Sequence, residues 1–263
     1  AAAALIKPAP WWPHEPGLTF NAMIHPLTRF RMAGVIWYQG ESNVPRAARY
    51  VGAFQNLIKD WRAQFGRRDL PFYWVQLAAF LPLEKNSLAG SPWAELREAQ
   101  RLALRLPHTG MAVATDVGNA NDIHPRNKRA VGERLARLAL NRQYRHPMPD
   151  SGPQLQQARR EGRSMRLLFS AVGQGLQVRG GGVEVQGFAI AGADQRFVPA
   201  RAVIENGQRL RVWADAVPQP VAVRYGWVDN PEQANLVDDE GLPASPVKTD
   251  RWAWVTQAGR FGP

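Results

Sequence analysis

The sequence contains no cysteine. Disulfides, Cys-ligated zinc, iron–sulfur clusters and a thiol nucleophile are thereby excluded, while the compartment stays open, since an exported protein can lack cysteine too. No apolar run reaches the roughly 18 residues that a membrane-spanning helix needs, so no membrane partner is expected. Residues 1–5 (AAAAL) are too short for the apolar stretch of a secretory signal, so no targeting signal is visible. There is no HExxH and no paired histidine spacing, which argues against a catalytic metal. No GxGxxG or P-loop follows a strand pattern, so no nucleotide is implied and no cofactor is expected. Lysine is scarce as well, with five lysines against 28 arginines.

What is present describes a globular protein. The chain has 263 residues, 45% hydrophobic and 21% charged, enough for one large domain or two modest ones. Its formal net charge is +11. Such a surplus raises nucleic acid as a partner. The distribution argues against it, because the arginines are mostly spread singly and their densest groups (Arg67-Arg68, Arg126 to Arg129, Arg159-Arg160) are short. The reading is an arginine-rich, solvated surface.

The first 16 residues carry four prolines and the pair Trp11-Trp12, which reads as an extended lead-in. Val35-Ile36-Trp37 predicts a short buried strand. Tyr50, Phe54, Leu57, Ile58, Trp61 and Phe65 share one helical face, and Gly66 is a natural stop. Residues 72–77 (FYWVQL) and 110–115 (GMAVAT) predict two more buried strands, separated by a helix over about 93–104 with Leu96, Ala99, Gln100 and Ala103 on its inner face. Residues 116–125 form a loop, with Pro125 placed to start the helix that follows, and the apolar period of Val131, Leu135, Leu138 and Ala139 predicts that amphipathic helix over Asn127 to Gln143. Alternating apolar strands and helices predict an α/β domain with a doubly wound parallel sheet over residues 1–150. Beyond Pro149 the texture changes to short β-rich segments broken by Gly, Asn, Asp and Pro. They predict an all-β, sandwich-like module over 151–263.

Ligands of such sheets bind at the carboxyl ends of the strands. Two loops there carry chemistry. In Asp122-Ile123-His124-Pro125, His124 is the side chain suited to general-base work near neutral pH, and an adjacent acid can fix its tautomer. The alternative is that Asp122 merely caps the following helix. In Trp37-Tyr38-Gln39-Gly40-Glu41-Ser42-Asn43, the glycine permits close backbone approach, and Gln39 and Asn43 can donate amide hydrogens to a developing oxyanion. The alternative is a plain βα turn.

Together, WYQGESN and DIHP resemble the carbohydrate-esterase branch of the SGNH (GDSL-like) hydrolases, most closely the sialate O-acetylesterase-like group. Further words agree in order: LTFNAMIHPL, DWRAQFGRRDLPFYWVQLA, LREAQ, TGMAVATDVG, DIHPRNK and, near the end, YGWVDNPEQANLVDDEGLPASPVKTDRW. The resemblance implies a flavodoxin-like sheet and removal of acetyl groups from sugars through an acyl-enzyme, by a Ser–His–Asp mechanism. His124 would be the base, Asp122 its orienting acid, and the loop holding Gln39, Gly40 and Asn43 the oxyanion hole, with Glu41 in the same block. The implied partner is an acetylated carbohydrate, and the group's members are usually exported, which implies a periplasmic or secreted location.

Two departures from the family pattern stand out. The nucleophile motif of the group, of the form GQSNM, precedes WYQGESN and has no counterpart here. The expectation is therefore a chain that lacks the N-terminal part of the fold, with the serine supplied outside it or by another chain. Ser42 is the only serine in either loop, yet that position is not the family's nucleophile. The broader superfamily also places its acid three residues before the histidine, where this chain has Asn121. Asp122 fits the narrower group's DIHP, and Asp116 is the reserve. His25 either lines the site or serves structure, and His14, His108 and His146 read as surface. The competing reading is a carbohydrate-binding or structural module without catalysis, raised by the ten tryptophans, of which Trp37, Trp61, Trp74 and Trp93 fall on core periods.

Overall fold

The computed structural model describes residues 16–83 and 87–258. The expectations for the proline-rich lead-in, and for Trp11, Trp12 and His14, fall largely outside them.

Strands β1 (Val35–Trp37), β2 (Phe72–Val75) and β3 (Thr109–Ala112) form a parallel sheet in the order β1-β2-β3. Helices α1 (Ala47–Gln64) and α2 (Pro92–Leu102) connect them, and α3 (Lys128–Leu138) follows β3. The alternation of side chains along β2 divides the packing. Phe72 and Trp74 join Val35, Met111, Tyr50, Phe54, Ile58, Leu96 and Ala99 in a core under α1 and α2. Tyr73 and Val75 face the other way, toward Leu138 and Val131 of α3. Both faces of β2 and β3 are thus covered by helix, which is why these two read as continuous apolar runs. Strand β1 is not the buried strand that its apolar residues predict, since α3 packs on β2 and β3 and leaves Ile36 of this edge strand exposed. Phe54 stands edge-on to Trp74 and Phe72, and Trp37 to Trp61. The four tryptophans on core periods are packing residues: Trp74 and Trp93 are buried, and Trp37 and Trp61 lie against the same core.

Local signals account for the helix ends. Ser91 caps α2 by accepting from the Ala94 N–H at 3.0 Å, with Pro92 at the first position. After α1, Gly66 takes φ +62° and its N–H bonds to Ala63 O. One expectation fails here. Asn127, not Asp122 or Pro125, caps α3, with its Oδ1 accepting from the Ala130 N–H at 3.2 Å. The helix also stops regular hydrogen bonding at Leu138 and continues as a single π-turn, Ala139–Gln143.

The remaining strands are antiparallel: β4 (Gln154–Glu161), β5 (Ser164–Ser170), β6 (Gln177–Val178), β7 (Phe188–Ala191), β8 (Val198–Pro199), β9 (Arg201–Asn206), β10 (Arg209–Trp213), β11 (Ala222–Tyr225), β12 (Leu236–Val237) and β13 (Val247–Lys248). They form two four-stranded sheets, β4-β5-β10-β9 and β13-β11-β7-β8, and the pair β12-β6. Met165, Leu167, Phe169, Leu210 and Val212 of the first sheet share one core with Phe188, Ile190, Val223, Tyr225 and Val247 of the second. Strand β4 carries no apolar period, because most of its side chains face solvent.

Buried polar side chains tie the antiparallel strands to the parallel sheet. Arg97 of α2 is fully buried and donates to the carbonyls of Leu77 (2.8 Å), Ala78 (2.7 Å), Val228 (2.8 Å) and Asp229 (2.8 Å). Burial pushes its guanidinium down to about 9, so the charge persists at neutral pH and the four carbonyls answer it. Glu95 accepts from the N–H groups of Val255 and Thr256 and from the Thr256 hydroxyl, which returns the last described residues to α2. Gln76 donates to the Ser245 hydroxyl at 3.0 Å.

Candidate functional site

All three parallel strands run in one direction, so the loops after β1 and β3 leave the same edge of the sheet. After β1 the chain passes through Tyr38, Gln39 and Gly40 into a 3₁₀ turn, Glu41–Arg46. Gly40 is buried against α2. A Cβ there would stand 3.0 Å from Leu96 Cδ2, 3.1 Å from Leu77 Cδ2 and 3.3 Å from Gln100 Nε2. Close approach, rather than an unusual backbone angle, is what demands glycine.

Side-chain amides hold this loop in one shape. Gln100, buried on α2, accepts from the Leu77 N–H at 2.9 Å and donates to the carbonyls of Val75 and Gln39 at 3.2 and 3.3 Å. Gln39 Nε2 donates to Asn43 Oδ1 at 2.7 Å, and the Tyr50 hydroxyl donates to Gln39 Oε1 at 3.1 Å. With its oxygen accepting from Gln39, Asn43 has its Nδ2 hydrogens left over, and among the described residues they have no acceptor. Burial pushes the Tyr50 phenol up, and the charge of Glu41 adds to the rise, so Tyr50 is a lasting donor. Tyr38 moves up for the same two reasons, though it is only partly covered.

The loop after β3 is anchored just as closely. Gly118 lies so near the strand-end segment after β2 that a Cβ would fall 2.1 Å from Ala79 O, and the Asn119 N–H donates to that carbonyl at 3.2 Å. Ile123 packs toward the α1–α2 core and Pro125 is buried. Between them His124 points outward, its side chain 87% exposed. Asp122 Oδ1 accepts from the His124 backbone N–H at 2.8 Å and lies 3.7 Å from His124 Nδ1, beyond hydrogen-bond distance. Asp116 is committed elsewhere: Arg134 of α3 grips both its oxygens, at 2.6 and 2.7 Å.

The loop after β1 touches the start of α3 through Tyr38 and Lys128. The Lys128 ammonium, at the first turn of α3, sits over the Tyr38 ring at 4.8 Å from its centre. Gln39, Gly40 and Asn43 are one hydrogen-bonded block, with Glu41 in the same turn, and Asp122 and His124 form a second at the same sheet edge. Ser42 is exposed and serves the loop through its carbonyl, which accepts from Arg46. His25, His108 and His146 are exposed and lie apart from these bonds. Sequence reasoning missed Gln100, Tyr50 and Lys128. Gln100 had left a signal, a polar residue on the apolar face of its helix. Tyr50 reads in the sequence as a core residue alone, and Lys128 reaches its partner only through the packing of α3.

Comparisons with known proteins show which family the chain is similar to. The profile of the family described as carbohydrate esterase, sialic acid-specific acetylesterase, matches residues 9–141. The sialate O-acetylesterases of mouse and human are each 37% identical over 139 residues, covering 47% of this chain and 26% of theirs. A carbohydrate acetylesterase from Xanthomonas citri superposes with a TM-score of 0.84 at 51% identity, over 89% of this chain and 54% of that one. The chain therefore spans about a quarter of the length of the curated relatives and about half of the structural one. On the profile match and the shared architecture, the chain belongs to the sialic acid-specific acetylesterase family of carbohydrate esterases.

Proposed function

We propose that this chain carries the base, the acid and an oxyanion loop of a carbohydrate O-acetylesterase that releases acetate from acetylated sugars. What supports this is that the Gln39–Asn43 block and the Asp122–His124 block follow β1 and β3 at one carboxyl edge of the sheet, with Lys128, just beyond the second block, lying over Tyr38, just before the first. The parallel strands are read as part of an SGNH-type doubly wound sheet spanning residues 1–150. The antiparallel strands are read as a sandwich-like module over 151–263, without catalytic groups.

In this reading the nucleophile is a serine outside residues 1–263. Its hydroxyl oxygen attacks the acetyl carbonyl carbon while His124 takes the hydroxyl proton. Negative charge gathers on the carbonyl oxygen, where the Gly40 N–H and the free Nδ2 hydrogens of Asn43 receive it. Gln39 positions Asn43 and does not itself donate to the substrate. On collapse the sugar–oxygen bond to the acyl carbon breaks and His124 returns the proton to the leaving sugar oxygen. Water, activated by the same imidazole, then frees acetate. Asp122 is preferred over Asp116 as the orienting acid because Arg134 already occupies Asp116. A small rotation of the exposed imidazole would bring Nδ1 into hydrogen-bond reach of Asp122.

The test is acetate release from acetylated oligosaccharide. Residues 1–263 alone should release little, and a longer chain supplying a GQSNM-type segment should restore turnover that His124→Ala then abolishes. Normal turnover by residues 1–263, lost in Ser42→Ala, would make Ser42 the nucleophile and overturn this assignment.

A further inference from the structure

The outer face of the sheet β4-β5-β10-β9 gathers arginines from across the chain. The register aligns Arg159, Arg166 and Arg211 side by side on β4, β5 and β10. One row along, Gln157, Leu168 and Arg209 are aligned on the same three strands. A shallow depression of about 310 Å³ opens here, with Leu168 in it and Arg159, Arg166 and Arg209 around it. At its far side Trp213 pairs in register with Arg201, and the guanidinium groups of Arg211 and Arg201 lie over its ring at 4.5 and 5.2 Å.

Like charges placed directly opposite one another weaken a sheet. Glu161 and Glu205 offset part of this: both pair with Arg166, at 2.7 and 2.9 Å, and Glu205 also lies 3.3 Å from Arg211. Arg159, Arg209 and Arg201 have no carboxylate partner among the described residues. Arg159 and Arg209, two guanidinium groups around the Leu168 floor that no carboxylate pairs, are suited to an anionic ligand with an apolar face, while Arg201 lies farther along the same sheet face against Trp213.

We propose that this face binds a carboxylate-bearing polysaccharide, holding it away from the proposed catalytic edge. Arg159 and Arg209 fork onto carboxylates, and Leu168 lies under the apolar face of a sugar ring. Single-stranded nucleic acid suits the face less well, because base stacking needs open aromatic rings and the ring of Trp213 already has guanidinium groups over it. The choice of a glycan rests on the carbohydrate-esterase reading, whereas the cationic cradle does not.

The experiment is affinity electrophoresis of the whole protein in gels containing polygalacturonate, a neutral glucan or single-stranded DNA. Polygalacturonate should retard the protein and the glucan should not. The double variant Arg159→Gln/Arg209→Gln should weaken retardation at least tenfold, while the charge-matched pair Arg29→Gln/Arg68→Gln, on exposed sites elsewhere, should change it little. Equal loss in the control pair would show a net-charge effect only and overturn the site. Retardation by DNA as strong as by polygalacturonate, or none by polygalacturonate at low salt, would overturn it too. His124→Ala should leave retardation unchanged, so a failure of the esterase reading and a failure of this one are separately visible.

Discussion

Replacing Arg97 by methionine should loosen the junction between the parallel sheet and the antiparallel strands. The side chain is fully buried and makes four charge-assisted bonds, two to the segment after β2 and two to Val228 and Asp229. Methionine fills much of the volume but donates nothing. Each carbonyl left dry costs about 1–3 kcal/mol. Four at the low end give about 4 kcal/mol, with water entering to limit the total and with the relief of desolvating a cation set against it. That is a large fraction of the roughly 5–15 kcal/mol a native protein has. With a urea slope of about 3 kcal/mol/M at this size, the midpoint should fall by more than about 1 M. Arg97→Lys should recover only part of this, because one ammonium cannot reach carbonyls on both sides of the junction. Amide exchange should quicken around Val228 to Asn230 in both variants. A midpoint shift corresponding to less than about 1 kcal/mol for Arg97→Met would refute the argument that these carbonyls depend on the guanidinium.

Three further outcomes follow from the same contacts. His124→Ala removes an exposed side chain and should change stability by less than about 0.5 kcal/mol by urea unfolding, so lost turnover in it would report chemistry and not folding. Gly118→Ala would drive a Cβ into Ala79 O and should cost about 3 kcal/mol, with thermal melting falling and the His124 loop gaining protease sensitivity. For Asp250, burial alone would raise the carboxyl, but bonds from Arg224 and Lys248 outweigh it and hold the group below its ordinary value. A depressed carboxylate stabilises the fold above its unfolded pKa, so the contribution should be complete above about pH 4 and fade as pH falls further. Asp250→Asn should therefore flatten the acid limb of the stability profile, and an unchanged limb would count against the pairing.

The parts of the candidate site are legible in the sequence because they are local. WYQGESN and DIHP each announce themselves by residue type and by a strand just before them, and β1, α1, α2 and β3 follow from apolar periods that a helix or a buried strand imposes on neighbouring residues. The end of the DIHP loop was misread for a similar local reason: Pro125 suits a first helical position, but the backbone is not helical until Asn127 has capped the turn. Strand β4 was invisible because QLQQARRE exposes most of its side chains, and pairing with β5 is what makes it a strand.

By itself the sequence determined the alternation of strands and helices, the change to β texture after Pro149, and the base and amide candidates, since each depends on residues close together in the chain. Only the tertiary structure decided which groups meet. It set Gln100 under the Gly40 loop, gave Asp116 to Arg134 and left Asp122 beside His124. It also gathered arginines that look scattered in the sequence onto one sheet face, because antiparallel register places residues 159, 166 and 211 side by side across three strands. Such contacts depend on long-range packing and strand register, which no run of neighbouring residues encodes.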